Sequence, residues 1–270
     1  MTGTGQPTFA GVRRFSALDY IYRLPLMPWL CPPLHPELER VILNIGRSAV
    51  LQPHERLYGS GEPVSRIAVV RKGLVARKLG DFGTKSDNHI ALAGPGNLAT
   101  GNLNIFSHRP AVGRYEALVP TEIVWCGQKD FLAVVERDPE LFRLLVLQCE
   151  LSALSDRLAF ACTLLQKSDA ALKIFLLAWS FHFGHIEGDR VVSPRILTRE
   201  SVKDVVGCSL GWLDRILKEW REEGILRGDR FIVSYPIDFL AEADGYLGAM
   251  EEQSGSVIRS RDVRTYWQSF

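Results

Sequence analysis

Side chains able to do covalent or metal chemistry are present, but the sequence does not bring them together. Cys31, Cys126, Cys149, Cys162 and Cys208 are scattered and odd in number. None forms a CxxC pair, which argues against a disulfide framework, a zinc site or an iron–sulfur cluster. No nucleophile–base pair, phosphate-cradling glycine loop or metal-ligand spacing stands out, so no catalytic and no metal-binding residue is assigned. The residues that remain make non-covalent contacts, and they gather between 195 and 233. Thr198 has the hydroxyl to cap a helix running to Val206, and Gly207 has the backbone freedom to stop it. Ser209 caps a second helix, Leu210 to Glu223, ended by Gly224. Leu213, Ile216, Leu217 and Trp220 recur on one face of it. Arg215, Lys218 and Arg221 remain for the surface. Two helices across a short glycine turn make a helix-turn-helix, whose second helix fits the DNA major groove. Ile225-Leu226, a turn at 227–230, and Phe231-Ile232-Val233 read as a hairpin, or wing.

The elements that must position this pair occupy the rest of the 270 residues. Residues 1–35 are rich in Pro and Gly and read as an extension lying on the next domain. Residues 36–136 form a sensing domain. It opens with a helix from Pro36 to about Ile45, with Glu37 and Glu39 at its positive end. Short strands follow, broken by turn residues: Ile67–Val70, Leu74–Leu79, His89–Ala93, Arg114–Val119 and Glu122–Cys126. This pattern predicts an antiparallel roll able to enclose a pocket. A short helix closes it, from Lys129 to Glu136. Residues 137–168 carry a long helix and a hinge. Leu144, Leu147, Leu151, Leu154, Leu158, Ala161 and Leu165 alternate at spacings of three and four, the seam of a two-stranded coiled coil. Ser168-Asp169 interrupts it, and Asp169 is expected to cap the next helix. Residues 169–245 hold the helix-turn-helix, and 246–270 form a charged tail. The fold class is therefore α+β: β-roll, dimerisation helix and winged helix-turn-helix.

The net charge of +1 leaves no basic coat, so any DNA contact must come from a local patch. No apolar run is long enough to cross a membrane, and the first residues lack the apolar core of a secretion signal. Scattered cysteines suit a reducing cytoplasm, the expected location.

The order of parts resembles the Crp/Fnr superfamily of bacterial transcription regulators, over about residues 36–245. The residues that carry the resemblance are Gly59-Ser60-Gly61-Glu62, Lys72-Gly73, Gly94-Pro95-Gly96-Asn97, Glu116-Ala117, Asp169, Leu197-Thr198-Arg199-Glu200, Gly207-Cys208-Ser209, Arg215 to Glu219, and Glu223-Gly224-Ile225. The resemblance implies a double-stranded, cyclic-nucleotide-binding-like roll and a cytoplasmic homodimer. It implies effector-controlled binding to a palindromic promoter site, with regulation through RNA polymerase and no membrane partner. It places Thr198, Arg199 and Ser209 on phosphates, and Leu210, Gly211, Trp212, Arg215 and Lys218 along the DNA face. Arg215 keeps the family's basic position and suits guanine O6 and N7.

Departures from the family bear on the effector. Gly101-Asn102 replaces Gly-Glu at the pocket turn, Ala111-Val112 replaces Arg-Ser, and Leu158-Ala159 replaces the base-binding hydroxyls. A cyclic phosphate would there lack charged hydrogen bonds, so cAMP is not expected to bind. The effector stays unidentified. An apolar or aromatic metabolite suits Leu98, Asn102, Leu103, Arg114, Tyr115 and Leu158. Haem is a poorer alternative, with His89, His108, Cys126, Cys149 and Cys162 as ligands by type alone. Two rival functions remain: a roll sensor whose degenerate helix-turn-helix contacts protein, and a haem- or thiol-based redox regulator.

Overall fold

The computed structural model describes residues 27–79, 88–100, 105–107, 109–194, 197–229 and 232–253, in two compact units that meet in sequence at Leu165. Asn102, Leu103 and His108 lie outside the described residues, as do most of the N-terminal extension and the tail beyond 253.

The first unit begins with a helix, α1 (Pro36–Ile45), as expected. His35 caps it, its Nδ1 accepting from the Glu37 N–H at 3.2 Å, and Pro36 loses no bond in the first turn. Among the described residues, seven strands follow: β1 (Arg47–Leu51), β2 (Arg56–Tyr58), β3 (Arg66–Lys72), β4 (Val75–Leu79), β5 (Asn88–Ala93), β6 (Arg114–Ala117) and β7 (Thr121–Gly127). They form two antiparallel sheets, in the orders β1-β7-β3 and β2-β6-β4-β5. Strand β3 shows how one sequence serves two cores. Ile67, Ala68, Val69 and Val70 are all fully buried. Ala68 and Val70 join Tyr58, Val75, Tyr115 and Ile123 between the sheets. Ile67 and Val69 point the other way, into a cluster with Leu38, Ile42, Phe131 and Leu145. Successive strand residues face opposite sides, so a continuous apolar run is what a strand covered on both faces requires.

Two helices complete this unit: α2 (Gln128–Val135) and α3 (Pro139–Leu165). The α3 helix buries Leu145, Gln148, Leu151, Ser155, Leu158, Ala159 and Cys162 against its own chain. Part of the expected leucine seam is therefore not free on the surface of the chain. Leu151 and Leu158 are taken up by the chain's own core, and Leu144 packs against the cluster under β3. Leu147, Leu154 and Ala161 are half-buried, and Leu165 is exposed. The outward face of α3 instead carries Phe142, Val146, Phe160 and Leu164. A helix apolar on nearly every side hides which stripe its own roll will claim.

The second unit starts with α4 (Ser168–Phe183), nearly all buried. Its N-cap is Lys167, which makes no side-chain capping bond, and Asp169 sits inside the first turn. Asp169 is therefore not the cap; a carboxylate in the first turn favours the positive end of the helix. The helices α5 (Arg199–Val206) and α6 (Leu210–Glu222) follow the sequence reading closely. The wing does not. Ile225 and Leu226 are not strand residues. β10 (Arg227–Gly228) pairs with β11 (Ile232–Pro236), which also pairs with β9 (Arg190–Pro194), and β9 with β8 (His185–Glu187). The result is a four-stranded sheet, order β10-β11-β9-β8. A further helix, α7 (Ile237–Gln253), packs on α4 and runs past the boundary expected at 245.

Candidate nucleic-acid interface and sensor cleft

The helix-turn-helix is built by the cap chemistry visible in the sequence. Thr198 Oγ1 accepts from the Ser201 N–H at 3.1 Å and starts α5. Gly207, at φ 75°, ends it in the left-handed conformation that glycine adopts without a steric cost. Ser209 Oγ accepts from the Trp212 N–H at 3.2 Å and starts α6. Leu213 and Trp220 anchor α6 in the core, and Ile216 and Leu217 are half-buried beside them. That fixes the opposite face outward: Gly211, Arg215, Lys218 and Arg221 are exposed, while Leu210 and Trp212 are half-buried. A Cβ on Gly211 would meet nothing within 4 Å, so the surface there is open.

The cations of this face differ in their engagements. Arg199 holds Asp214 at 2.7 Å, and Lys218 lies 3.6 Å from Glu222, both pairs well exposed. Exposed pairs of this kind contribute about 0–1 kcal/mol, so phosphate oxygens can replace the carboxylates at little cost. Arg215 makes no ion pair among the described residues. Thr198, Arg199, Ser209, Leu210, Gly211, Trp212, Arg215 and Lys218 thus lie together on the start of α5 and along α6. Arg190 was missed by sequence reasoning. Its guanidinium binds Ser234 Oγ at 3.1 Å, Ser234 O at 2.9 Å and also Ile225 O, tying β9, β11 and the turn after α6 together. A lone Arg on a short polar strand gave no signal for this.

The described residues among those expected to line an effector pocket have different surroundings. Leu98 belongs to the cluster under α1, whereas Tyr115 belongs to the core between the sheets. Arg114 is held by Glu116, 3.0 Å away, and Leu158 is buried on α3. Glu116 is itself buried, bonded to both Lys78 and Arg114. Burial works to raise its pKa, but the bonds from Lys78 and Arg114 prevail and hold the carboxyl below the usual range. Ala111 is buried with its backbone N–H bonded to Glu62 O at 2.8 Å, and Val112 is exposed.

A different polar group sits between the roll and the long helix. Arg77 of β4 meets Asp156 of α3 at 2.5 Å, with both side chains largely buried. Its Nε has no partner. Burial opposes the charge, but the Tyr115 phenol and Asp156 beside it prevail and hold the guanidinium protonated. Tyr115 is pushed up by burial against the pull of Arg77. Cys31 is partly buried near the pair, its thiol pushed up to about 12 by desolvation.

The cysteines are all free. Burial pushes Cys162 up to about 12, Cys126 and Cys149 up to about 11, and raises Cys208 as well. Among the described residues there is no cluster of three or more His, Cys, Asp or Glu fit to hold a metal, and no helix long and apolar enough to cross a membrane.

No protein-family model matches the sequence, and no curated protein does. Solved structures do. FixK2 from Bradyrhizobium japonicum is similar at 18% identity over 70% of this chain and 92% of that one, TM-score 0.61. A CooA variant from Carboxydothermus hydrogenoformans is similar at 17% identity, over 76% and 89%, TM-score 0.60. A transcriptional regulator of the CRP/FNR family from Thermus thermophilus is similar at 18% identity, over 73% and 97%, TM-score 0.57. With two antiparallel sheets closed by a long helix, followed by a helix-turn-helix beside a small sheet, this chain has the fold of the Crp/Fnr transcription regulators.

Proposed function

We propose that this chain is a transcription regulator, not an enzyme, and that it binds a palindromic DNA site as a cytoplasmic homodimer. The observation that carries the reading is α6. Its capped start and outward basic face, with Arg215 unpaired, form a rod that fits the major groove. Arg215 reads guanine, while Thr198, Arg199, Ser209 and Lys218 meet phosphates. Leu210, Gly211 and Trp212 complete the contact.

Pairing of two copies along α3 supplies the second rod. Phe142, Val146, Phe160 and Leu164 are exposed there, and Val146 and Phe160 share one heptad position with Ala153 between them. Leu147, Leu154 and Ala161 flank that stripe. Two rods so held reach half-sites about 34 Å apart. Regulation then follows from touching or blocking RNA polymerase. The effector is not cAMP, since Ala111, Val112 and Leu158 offer a cyclic phosphate and base no donors.

The test is fluorescence anisotropy on DNA from upstream of the chain's own coding region, across a salt series, with sedimentation of the same samples. Expected are a dimer, a steep fall of affinity with salt, and loss of both dimer and binding in Phe160→Glu/Leu164→Glu. A monomer that binds tightly, or no sequence preference at any salt, overturns the proposal. The second outcome would favour protein contacts by the helix-turn-helix.

A further inference from the structure

The segment Met27–Leu34, just ahead of α1, does not lie loosely on the roll. Met27, Trp29, Leu30 and Leu34 are almost wholly buried. On one side the segment pairs with the sheet. Cys31 N–H donates to Leu92 O at 2.8 Å, Leu92 N–H donates to Trp29 O at 2.7 Å, and Leu30 faces Leu92 in a parallel bridge. Pro33 faces Asn97, and Leu34 N–H donates to Gly96 O at 2.8 Å. On the other side it is held by α3. Ser155 Oγ lies 2.6 Å from Met27 O and 2.8 Å from Leu30 O, and Gln148 Nε2 lies 3.4 Å from Pro32 O. Ser155 and Gln148 are two turns apart on one face of the helix, both buried, and both turned to this segment. Beside it the Arg77–Asp156 pair joins β4 to α3. Trp29 takes φ 63°, a conformation a bulky side chain avoids unless its surroundings enforce it.

We propose that the cleft between the β2-β6-β4-β5 sheet and α3 is a peptide-binding site, and that its ligand is the chain's own segment Met27–Leu34. The class of ligand follows from the site. It offers an edge for main-chain pairing at Leu92 and Gly96, two side-chain groups bonded to backbone carbonyls, and apolar room for a Trp and two Leu. These features suit a peptide held largely through its main chain. A small effector would have to displace it. With the segment seated, sheet and helix are joined without any added molecule. If the proposed DNA function holds, operator binding then needs no effector.

Hydrogen exchange on the full-length protein tests this without DNA. In the wild type, the amides of Cys31, Leu34 and Leu92 are expected to exchange as slowly as those of β3 and β7. Ser155→Ala should lower protection at Cys31 and Leu34 by about 5- to 100-fold, the range for leaving buried carbonyls without a donor. Val69 and Val124 should keep theirs. An anionic aromatic dye, 8-anilinonaphthalene-1-sulfonate, should bind the variant and not the wild type. Fast exchange at Cys31 and Leu34 in the wild type overturns the proposal, and so does equal loss at Val69, because releasing a ligand leaves the sheets intact. cAMP or the dye binding the wild type while Cys31 stays protected also overturns it. Anisotropy on the same samples reports separately on the DNA reading: wild type that ignores DNA but shows this exchange pattern refutes the regulator and keeps the site.

Discussion

Replacing Asp156 by Leu should cost far more than removing an ordinary ion pair. The side chains of Arg77 and Asp156 keep only 9% and 15% of their exposure and meet at 2.5 Å. Arg77 Nε already lacks a partner, so the guanidinium depends on Asp156 and Tyr115. Removing the carboxylate leaves a buried charge uncompensated, a loss of about 3–5 kcal/mol. For a unit of this size that lowers the melting temperature by roughly 6–20 °C. Arg77→Met should cost less, because the stranded carboxylate sits nearer solvent. The double variant Arg77→Met/Asp156→Leu should recover most of the loss, since a buried pair replaced by packed apolar groups is often neutral. Guanidinium unfolding followed by tryptophan fluorescence, on all four proteins, gives the coupling energy directly. The cycle should be non-additive by about 2 kcal/mol or more. A single-variant cost under about 1 kcal/mol, or a double variant equal to the sum of the singles, would refute the claim that this pair is desolvated and mutually dependent.

Arg215→Ala should weaken specific binding by roughly 5- to 150-fold, the range for one bidentate base contact, while leaving non-specific binding nearly unchanged; anisotropy at fixed salt on specific and scrambled duplexes checks it. Glu116 titrates below the usual carboxylate range, so its contribution is present above pH 4.5 and is lost as the pH falls further. Glu116→Gln should flatten the acid side of the stability–pH curve, read by urea midpoints between about pH 3 and 6, the range in which carboxylates titrate. Cys31, Cys126, Cys149 and Cys162 hold their protons to pH about 11 or 12, so a thiol reagent at neutral pH should label them only after denaturation. Their stabilising contribution is complete below the unfolded value of 9.0 and disappears as the pH rises through 11 and 12.

Features governed by nearby residues were legible in the sequence. Pro36 with two acids gave α1 its bounds, and Thr198, Gly207 and Ser209 gave the helix-turn-helix its turn, because caps act within three residues. Features decided by distant partners were not. β8 is the tripeptide His185-Ile186-Glu187, a strand only because β9 lies beside it. α7 contains Gly245 and Gly248 and shows no clean period, so its packing on α4 outweighs weak local preference. The burial of Leu151 and Leu158 in the chain's own core was not legible because a rule about spacing cannot say which of several apolar stripes the roll will cover. The Met27–Leu34 segment gave no period at all: its partners are Leu92, Gly96, Gln148 and Ser155, about sixty residues away or more. That Leu98 and Tyr115 belong to different clusters was likewise not legible, because which side of the sheets each faces is set by distant partners.

Strand β3 has a mechanical consequence. It is the wall shared by two oil-like compartments, and each side of it holds up a different set of neighbours. Neither compartment can be emptied without exposing the other, so this half of the molecule has no layer able to peel away first. Heat should take the roll and its helical cover apart in one step.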